Sequence, residues 1–146
     1  MGGINMSNGL KLTRPEEVVV KLIELTQDGD LVWQVGDFKE LPEERIESVF
    51  ETHYKGKNLR LVERTFVDPA RALFQEGSLA PTTTLEIVSD LILSPRSKRI
   101  TLWTFPVRRQ LLKDLLNAVK YQVSGAKSFF EDVLNEDSST TGTKPQ

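Results

Sequence analysis

The chain contains no cysteine and a single histidine among its 146 residues. Without cysteine it can form no disulfide, no thiolate zinc site and no cysteine nucleophile, and one histidine cannot supply a two-histidine metal site. Long apolar runs are also missing, because no more than three apolar residues follow one another, whereas a membrane helix needs about 20. These features predict a cytoplasmic protein that does not enter the membrane.

The chain also lacks the short motifs of common enzymes and cofactor-binding proteins. Gly56-Lys57 has neither the upstream glycine nor the following serine or threonine of a phosphate-binding loop. No nucleophile elbow and no dinucleotide-binding fingerprint occurs in the sequence. We therefore predict a non-enzymatic protein without a cofactor or a bound metal.

A metal-dependent hydrolase or nuclease is a remote alternative. Glu43, Glu47 and Glu51 are closely spaced, and the neighbouring His53 could act as a general base if these side chains met in one pocket. A solvated acidic loop, with His53 in a cross-strand contact of a hairpin, is the simpler interpretation.

Charge is distributed unevenly along the chain. Residues 1–52 carry 5 basic and 11 acidic side chains, residues 53–113 carry 11 and 5, and residues 114–146 carry 3 and 5. The net charge of −2 therefore conceals a basic centre between acidic flanks. Such a layout is typical of a polyanion-binding surface, or of two surfaces that neutralise each other within one fold or dimer.

Local signals predict one folded domain with flexible ends. Residues 1–12 are expected to form a flexible N-terminus, 13–134 a single α+β domain, and the polar residues 135–146 a disordered C-terminal tail. Thr13 and Glu16 have the spacing of a capping box, so the first helix should begin beside them and end near Asp28.

Alternating β-prone segments predict about five mostly antiparallel strands in a meander-like sheet. Residues 42–50 fit either a helical turn or a loop that enters a strand, and the alternation of Phe50, Thr52 and Tyr54 favours the strand. The predicted strands lie at 31–35, near 50–54, and at 59–66, 82–93 and 98–105, with hairpin turns at 54–58 and 94–97.

A long C-terminal helix that begins at Pro106 should pack with the first helix on one face of the sheet. Gly125 can bend or split this helix, and beyond it the apolar stripe resumes at Phe129, Phe130, Val133 and Leu134. We expect the stripe to face the core rather than to dock into a partner. The predicted fold class is therefore α+β with two layers.

The sheet face away from the helices is the candidate functional surface. Strand alternation places Val62, Trp103 and Phe105 on it, interleaved with Arg60 and Arg64. Such a face is either buried by curled strand ends, or a dimer interface, or a platform on which aromatic rings stack on single-stranded bases. The candidate nucleic-acid or partner surface consists of Lys55, Lys57, Arg60, Arg64, Arg96, Lys98, Arg99 and Trp103.

In outline, curved antiparallel strands followed by a long helix resemble the single-strand-binding transcription cofactors. The resemblance is one of architecture, without a sequence motif, and it implies single-stranded nucleic acid as a ligand. The chain departs from that class in its additional N-terminal helix and in its net negative charge, since nucleic-acid binders usually carry a basic surface.

The function that these observations favour is a small non-enzymatic interaction or accessory module. Its expected partner is a second copy of itself, joined through the sheet as a homodimer, or another protein. Single-stranded nucleic-acid binding through the basic hairpins and the strand aromatics is the alternative.

Overall fold

A computed structural model describes residues 11–37, 44–66, 80–89 and 100–143. Within these ranges one N-terminal helix precedes a five-stranded antiparallel sheet, in the order β1-β2-β3-β4-β5, and two helices follow it. This confirms the predicted α+β class with an antiparallel sheet. The elements are α1 (Arg14–Asp28), β1 (Gln34–Val35), β2 (Glu44–Tyr54), β3 (Lys57–Phe66), β4 (Thr82–Val88), β5 (Thr101–Thr104), α2 (Arg109–Ser124) and α3 (Ala126–Thr143).

Helix α1 begins and ends as the sequence predicts. The Thr13 hydroxyl accepts a hydrogen bond from the Glu16 N–H at 3.3 Å, and the Glu16 carboxylate accepts one from the Thr13 N–H at 3.0 Å. This reciprocal pair is the predicted capping box. The helix ends at Gly29, whose φ of +83° places it in the left-handed region that favours glycine.

Strand β1 is shorter than the predicted segment 31–35. Leu31 and Trp33 are buried in the core, and the Trp33 N–H donates to the Gln122 side chain at 2.7 Å instead of to a neighbouring strand. Only Gln34 and Val35 pair with β2. The segment therefore fills the core more than it extends the sheet.

Strands β2 and β3 form the predicted hairpin. Strand β2 is extended from Glu44, so the preference for a strand over a helical turn is confirmed within the described residues. Lys55 and Gly56 form a two-residue turn with φ values of +53° and +78°. Positive φ at both central residues matches the type I′ turn, whose twist suits the flanking strands.

The second strand pair contains an irregularity that the sequence did not reveal. Ile87 of β4 lies opposite Trp103 of β5, but the next residue, Val88, lies opposite Thr101. Leu102 is therefore an extra residue on β5, as in a β-bulge. The predicted turn at 94–97 and the outer parts of the two predicted strands fall within residues 90–99, which lie outside the described residues.

The C-terminal helical region begins three residues later than predicted and is divided in two. Helix α2 starts at Arg109 rather than Pro106, because Arg108 is extended, with φ −64° and ψ +147°. Gly125, with φ +73°, ends α2, and α3 follows at once. Helix α3 continues to Thr143, through most of the segment 135–146 for which the sequence predicted disorder.

The main core lies between the first two helices and one face of the sheet. We call this face the inner face and the opposite one the outer face. Helix α1 contributes Val19 and Leu22, and α2 contributes Leu115 and Val119, all almost fully buried. The sheet and its flanking segments supply Leu31, Trp33, Phe50, Leu59, Leu61, Leu85 and Phe105.

Candidate interaction surfaces

Arg60 and Arg64, which the sequence analysis assigned to the candidate surface, form a largely buried ion-pair cluster with Glu86 on the outer face of the sheet. Arg60 lies opposite Glu86 in the pairing of β3 with β4, and its Nε and Nη2 atoms donate to Glu86 Oε1 at 3.2 and 3.0 Å. The second carboxylate oxygen, Oε2, lies 3.6 Å from Arg64 Nη2. The side chains of Arg60 and Glu86 are each 7% exposed. The two arginines do share a face, but they surround a buried carboxylate.

Strand β5 completes this cluster. The Thr101 hydroxyl lies 3.1 Å from Arg60 Nη2 and donates to Glu86 Oε1 at 3.2 Å. Val62, which lies between the arginines on the same face, is fully buried. Burying a charged group is unfavourable unless it is paired and hydrogen-bonded, and this cluster meets that condition at Glu86.

Trp103 lies on the inner face and not with the arginines. It is opposite Ile87, and its ring meets that of Phe105 edge-on, with centroids 4.8 Å apart. The prediction that Trp103 and Phe105 share a face with Arg60 and Arg64 was wrong. The extra residue Leu102 shifts the alternation by one, so Thr101 and Trp103 point to opposite faces.

Two of the other predicted basic residues lie at the β2–β3 hairpin. Lys55 and Lys57 are exposed, and Lys55 Nζ lies 5.7 Å from the centroid of the Tyr54 ring, within range of a cation–π contact. His53 Nδ1 is 2.8 Å from Asn58 Oδ1 on the opposite strand, which confirms the cross-strand contact. The remaining predicted residues, Arg96, Lys98 and Arg99, lie outside the described residues.

Strand β5 forms one edge of the sheet and exposes apolar side chains. It pairs with β4, and no strand within the described residues flanks its other side. Leu102 is 58% exposed and Trp103 is 44% exposed, and Ile100, just before the strand, is also exposed. The sequence from Ile100 to Val107 contains no charged residue.

A groove of about 1030 Å³ lies between α1, α2 and the beginning of α3. Its apolar lining comprises Val20 and Ile23 from α1 with Leu111, Ala118 and Tyr121 from α2. Its charged lining comprises Asp28, Asp114, Lys127 and Glu131. We call this feature the helix groove.

Helix α3 carries exposed aromatic and aliphatic side chains. Phe129 is 62% exposed, and Phe130, Val133 and Leu134 are also exposed. The expectation that the apolar stripe faces the core therefore holds for α2 but is wrong beyond Gly125. The Phe130 ring lies 6.2 Å from the Tyr121 ring and 6.2 Å from the Phe129 ring, which connects α3 to the wall of the helix groove.

An ion pair joins the beginnings of α1 and α2. Arg108 Nε and Nη2 donate to the two carboxylate oxygens of Glu16 at 2.9 and 3.0 Å, and the Arg108 N–H donates to Oε2 at 3.1 Å. These bonds, with that from Thr13, lower the pKa of Glu16 from 4.5 to about 2, and the Glu16 carboxylate raises the pKa of Arg108. The ion pair therefore connects the beginning of α1 to the residue that precedes α2.

Gln122 joins the other ends of the same two helices. Its Nε2 donates to the carbonyl oxygens of Thr26 at 3.0 Å and Leu31 at 2.8 Å, while its Oε1 accepts from the Trp33 N–H. The Trp33 indole N–H donates in turn to the Thr26 hydroxyl at 3.0 Å. Gln122 was not identified from the sequence, because a single glutamine in a helix belongs to no motif. Its position one turn before Gly125 was the sequence feature that could have indicated a contact at the end of the helix.

Other tests of the chain give negative findings. In the ranges that the structure describes, no three His, Asp or Glu side chains come together in an arrangement that could hold a metal ion. No helix there is long and apolar enough to cross a membrane. Comparison with protein-family models, with curated proteins and with solved structures finds no match to the chain.

Proposed function

We propose that this chain is a non-enzymatic protein-interaction module that forms a homodimer through its sheet. The interface we propose is the edge of β5 that no strand of the described residues flanks, and it would pair with β5 of a second copy around a two-fold axis. The observation that supports it is the exposure of Ile100, Leu102 and Trp103 on this edge. The proposed cytoplasmic location stays a prediction from the sequence.

The physical argument starts from the backbone of an edge strand. Such a strand presents unpaired N–H and C=O groups, and proteins usually protect it with charged side chains, with proline or with a covering element. Strand β5 has exposed apolar side chains in a segment without charge. Antiparallel pairing of two copies satisfies both sets of backbone groups and is self-complementary, as a two-fold interface requires.

The length of β5 determines which interaction dominates. Four residues offer few backbone hydrogen bonds, and the bulge at Leu102 interrupts the regular pairing. Burial of Leu102, Trp103 and Ile100 from both copies must therefore supply most of the association free energy, at roughly 25 cal/mol per Å² of apolar surface.

Light scattering coupled to size-exclusion chromatography tests the proposal. The purified chain should elute with twice its mass of 16.5 kDa. The variant Leu102→Lys should be monomeric at the same concentration, because each copy would bring a charged side chain into the apolar interface. Val32→Lys is the matched control, since Val32 is an aliphatic residue outside β5 that is at least as exposed as Leu102, and it should stay dimeric. A monomeric parent chain, or a dimer that Leu102→Lys does not weaken, would overturn the proposal.

The nucleic-acid alternative has weaker support. Arg60 and Arg64 surround Glu86, and Trp103 is exposed on the other face, so Lys55 and Lys57 are the exposed basic members of the described set. Anisotropy of a labelled oligothymidine provides the test. Phosphate contacts require binding at low salt that falls steeply as salt rises, and absence of binding at low salt would end this alternative.

A further inference from the structure

We propose that the helix groove is a second docking surface, which binds a basic amphipathic helix from a different protein. The groove differs from the β5 edge in position and chemistry, because it lies on the helices and has an acidic border. The proposal does not depend on the homodimer.

The size and shape of the groove favour a polypeptide. Its volume of about 1030 Å³ is at the upper end of the ~300–1,000 Å³ typical of small-molecule pockets. It is also an open cleft between three helices rather than an enclosed cavity. An amphipathic helix places its apolar side in such a cleft through residues at helical spacing.

The lining of the groove supplies contacts for apolar side chains. Val20, Ile23 and Leu111 are only partly buried, so they retain apolar surface that a docked helix could cover. Ala118 contributes a small side chain to the same lining, which permits close approach of another helix. Tyr121, with the adjoining Phe130 ring, provides the kind of aromatic anchor that dominates many interfaces.

The charges around the groove determine the sign of the partner. Three acidic side chains, Asp28, Asp114 and Glu131, line it, against one basic side chain, Lys127. None of the three makes an ion pair with a basic residue within the described ranges. A ligand with lysines or arginines beside its apolar side would therefore be attracted and correctly oriented.

The same charges argue against a second copy of this chain as the occupant. Helix α3 has the exposed apolar side chains that could enter a groove, but residues 126–143 contain four acidic and one basic residue. Placing an acidic helix in an acidic groove brings like charges together, which is unfavourable. A basic helix from another protein satisfies both the apolar and the electrostatic requirements.

The test uses a labelled 18-residue peptide with leucines at positions i, i+3, i+4 and i+7 and lysines elsewhere. Fluorescence anisotropy with the full chain should show saturable binding with a dissociation constant in the micromolar range. This corresponds to a binding free energy on the order of −8 kcal/mol. A scrambled peptide of the same composition should bind at least tenfold more weakly, because its apolar residues no longer share one side. Equal binding of the two peptides would overturn the proposal, as would no binding of the patterned peptide.

Matched variants locate the binding site. Glu131→Lys should weaken binding about tenfold, whereas Asp132→Lys, with the same charge change on a neighbouring exposed residue outside the groove lining, should weaken it less than threefold. Tyr121→Ser should also weaken binding about tenfold through loss of the aromatic wall. If Asp132→Lys and Glu131→Lys have equal effects, the peptide responds to overall charge and the groove is not its site.

One further variant separates this proposal from the homodimer. Leu102→Lys changes β5 but not the helix groove, so its peptide binding should equal that of the parent chain. If Leu102→Lys lost peptide binding, the proposal that the helix groove acts independently of the β5 edge would be wrong. If Glu131→Lys instead abolishes self-association, a second copy occupies the groove and the proposal is wrong.

Discussion

Helices α2 and α3 have similar apolar spacing but lie in different environments. In α2 the stripe that includes Leu115 and Val119 is fully buried against the sheet, whereas in α3 Phe129 and Leu134 are exposed. Gly125, in the left-handed conformation, ends α2 and separates the two helices. The periodicity of a stripe thus establishes that a helix forms, but the turn before the helix decides whether the stripe reaches the core.

The two helices also differ in how they are attached. Helix α2 is held at its beginning by the ion pair of Arg108 with Glu16 and near its end by the three hydrogen bonds of Gln122. Helix α3 is connected to the rest of the described structure mainly through α2 and the ring contacts of Phe130. We therefore expect substitutions in α2 to change stability and substitutions in α3 to change binding.

Two leucine-to-alanine changes provide the strongest test of this difference. Leu115→Ala should lower the free energy of unfolding by about 3 kcal/mol, because it removes a fully buried side chain and leaves a cavity. Leu134→Ala should change it by less than about 0.5 kcal/mol, because that side chain is 67% exposed. Urea denaturation followed by circular dichroism measures both. Equal losses would show that α3 packs as tightly as α2.

Replacement of Gln122 tests the attachment at the end of α2. Gln122→Leu should lower the free energy of unfolding by about 2 kcal/mol, since it removes the partner of the Trp33 N–H and the side-chain donor to the Leu31 and Thr26 carbonyls. Gln110→Leu in the same helix is the control, because the Gln110 side chain is exposed and donates to the exposed Asp114 carboxylate, and it should lower the free energy of unfolding by less than about 0.5 kcal/mol. Tryptophan fluorescence should report local loosening in the first variant alone.

The Glu16–Arg108 ion pair, which attaches the beginning of α2 to α1, should make the free energy of unfolding depend on pH. Because folding lowers the pKa of Glu16 from 4.5 to about 2, its stabilising contribution is complete above pH 4.5 and is lost as the pH falls toward 2. Glu16→Gln should lower the free energy of unfolding by roughly 2 kcal/mol at pH 7. The difference in free energy of unfolding between this variant and the parent chain should become smaller as the pH falls from 4.5 to 2.

Urea titrations at several pH values measure this dependence. Glu17→Gln provides the control, since Glu17 is an exposed neighbour in the same helical turn, and its effect should be small at every pH. A cost of Glu16→Gln that did not vary with pH would contradict the ionic origin of the contact.

Substitution at Gly125 should have a smaller effect on stability than loss of Gln122 or Glu16. Gly125→Ala places a side chain in the left-handed region and should lower the free energy of unfolding by about 1 kcal/mol, although no described atom beyond the neighbouring backbone lies within 4 Å of the added methyl group. Gly125→Asn should cost less, because asparagine tolerates this conformation better. If the two variants have equal stability to each other and to the parent chain, the angle between α2 and α3 is not set by this residue.

Features with local causes could be predicted from the sequence. The capping box of Thr13 and Glu16 and the turn at Lys55-Gly56 depend on neighbouring residues, and both occur where expected. The order of the elements and the antiparallel sheet followed from the same kind of signal. The start of α2 could not be predicted, because Arg108 is held extended by a carboxylate more than ninety positions earlier in the chain.

The candidate surface was less predictable because it depends on exact alternation. One extra residue, Leu102, moved Trp103 and Phe105 to the other side of the sheet. The burial of Arg60 depends on Glu86, a residue on a different strand that no local pattern connects to it. The basic centre of the sequence thus includes charges that the fold uses internally as well as charges that it exposes at Lys55 and Lys57.

The pairing of Arg60 with Glu86 has a consequence for how the sheet is assembled. If β3 slid by two residues along β4, the leucines would stay on the inner face, but Val62 or Asn58 would lie opposite Glu86 in place of Arg60. Glu86 would then be buried without the arginine that lies opposite it in the native pairing, which costs several kcal/mol. The ion pair therefore favours one register among those that the apolar residues alone would permit.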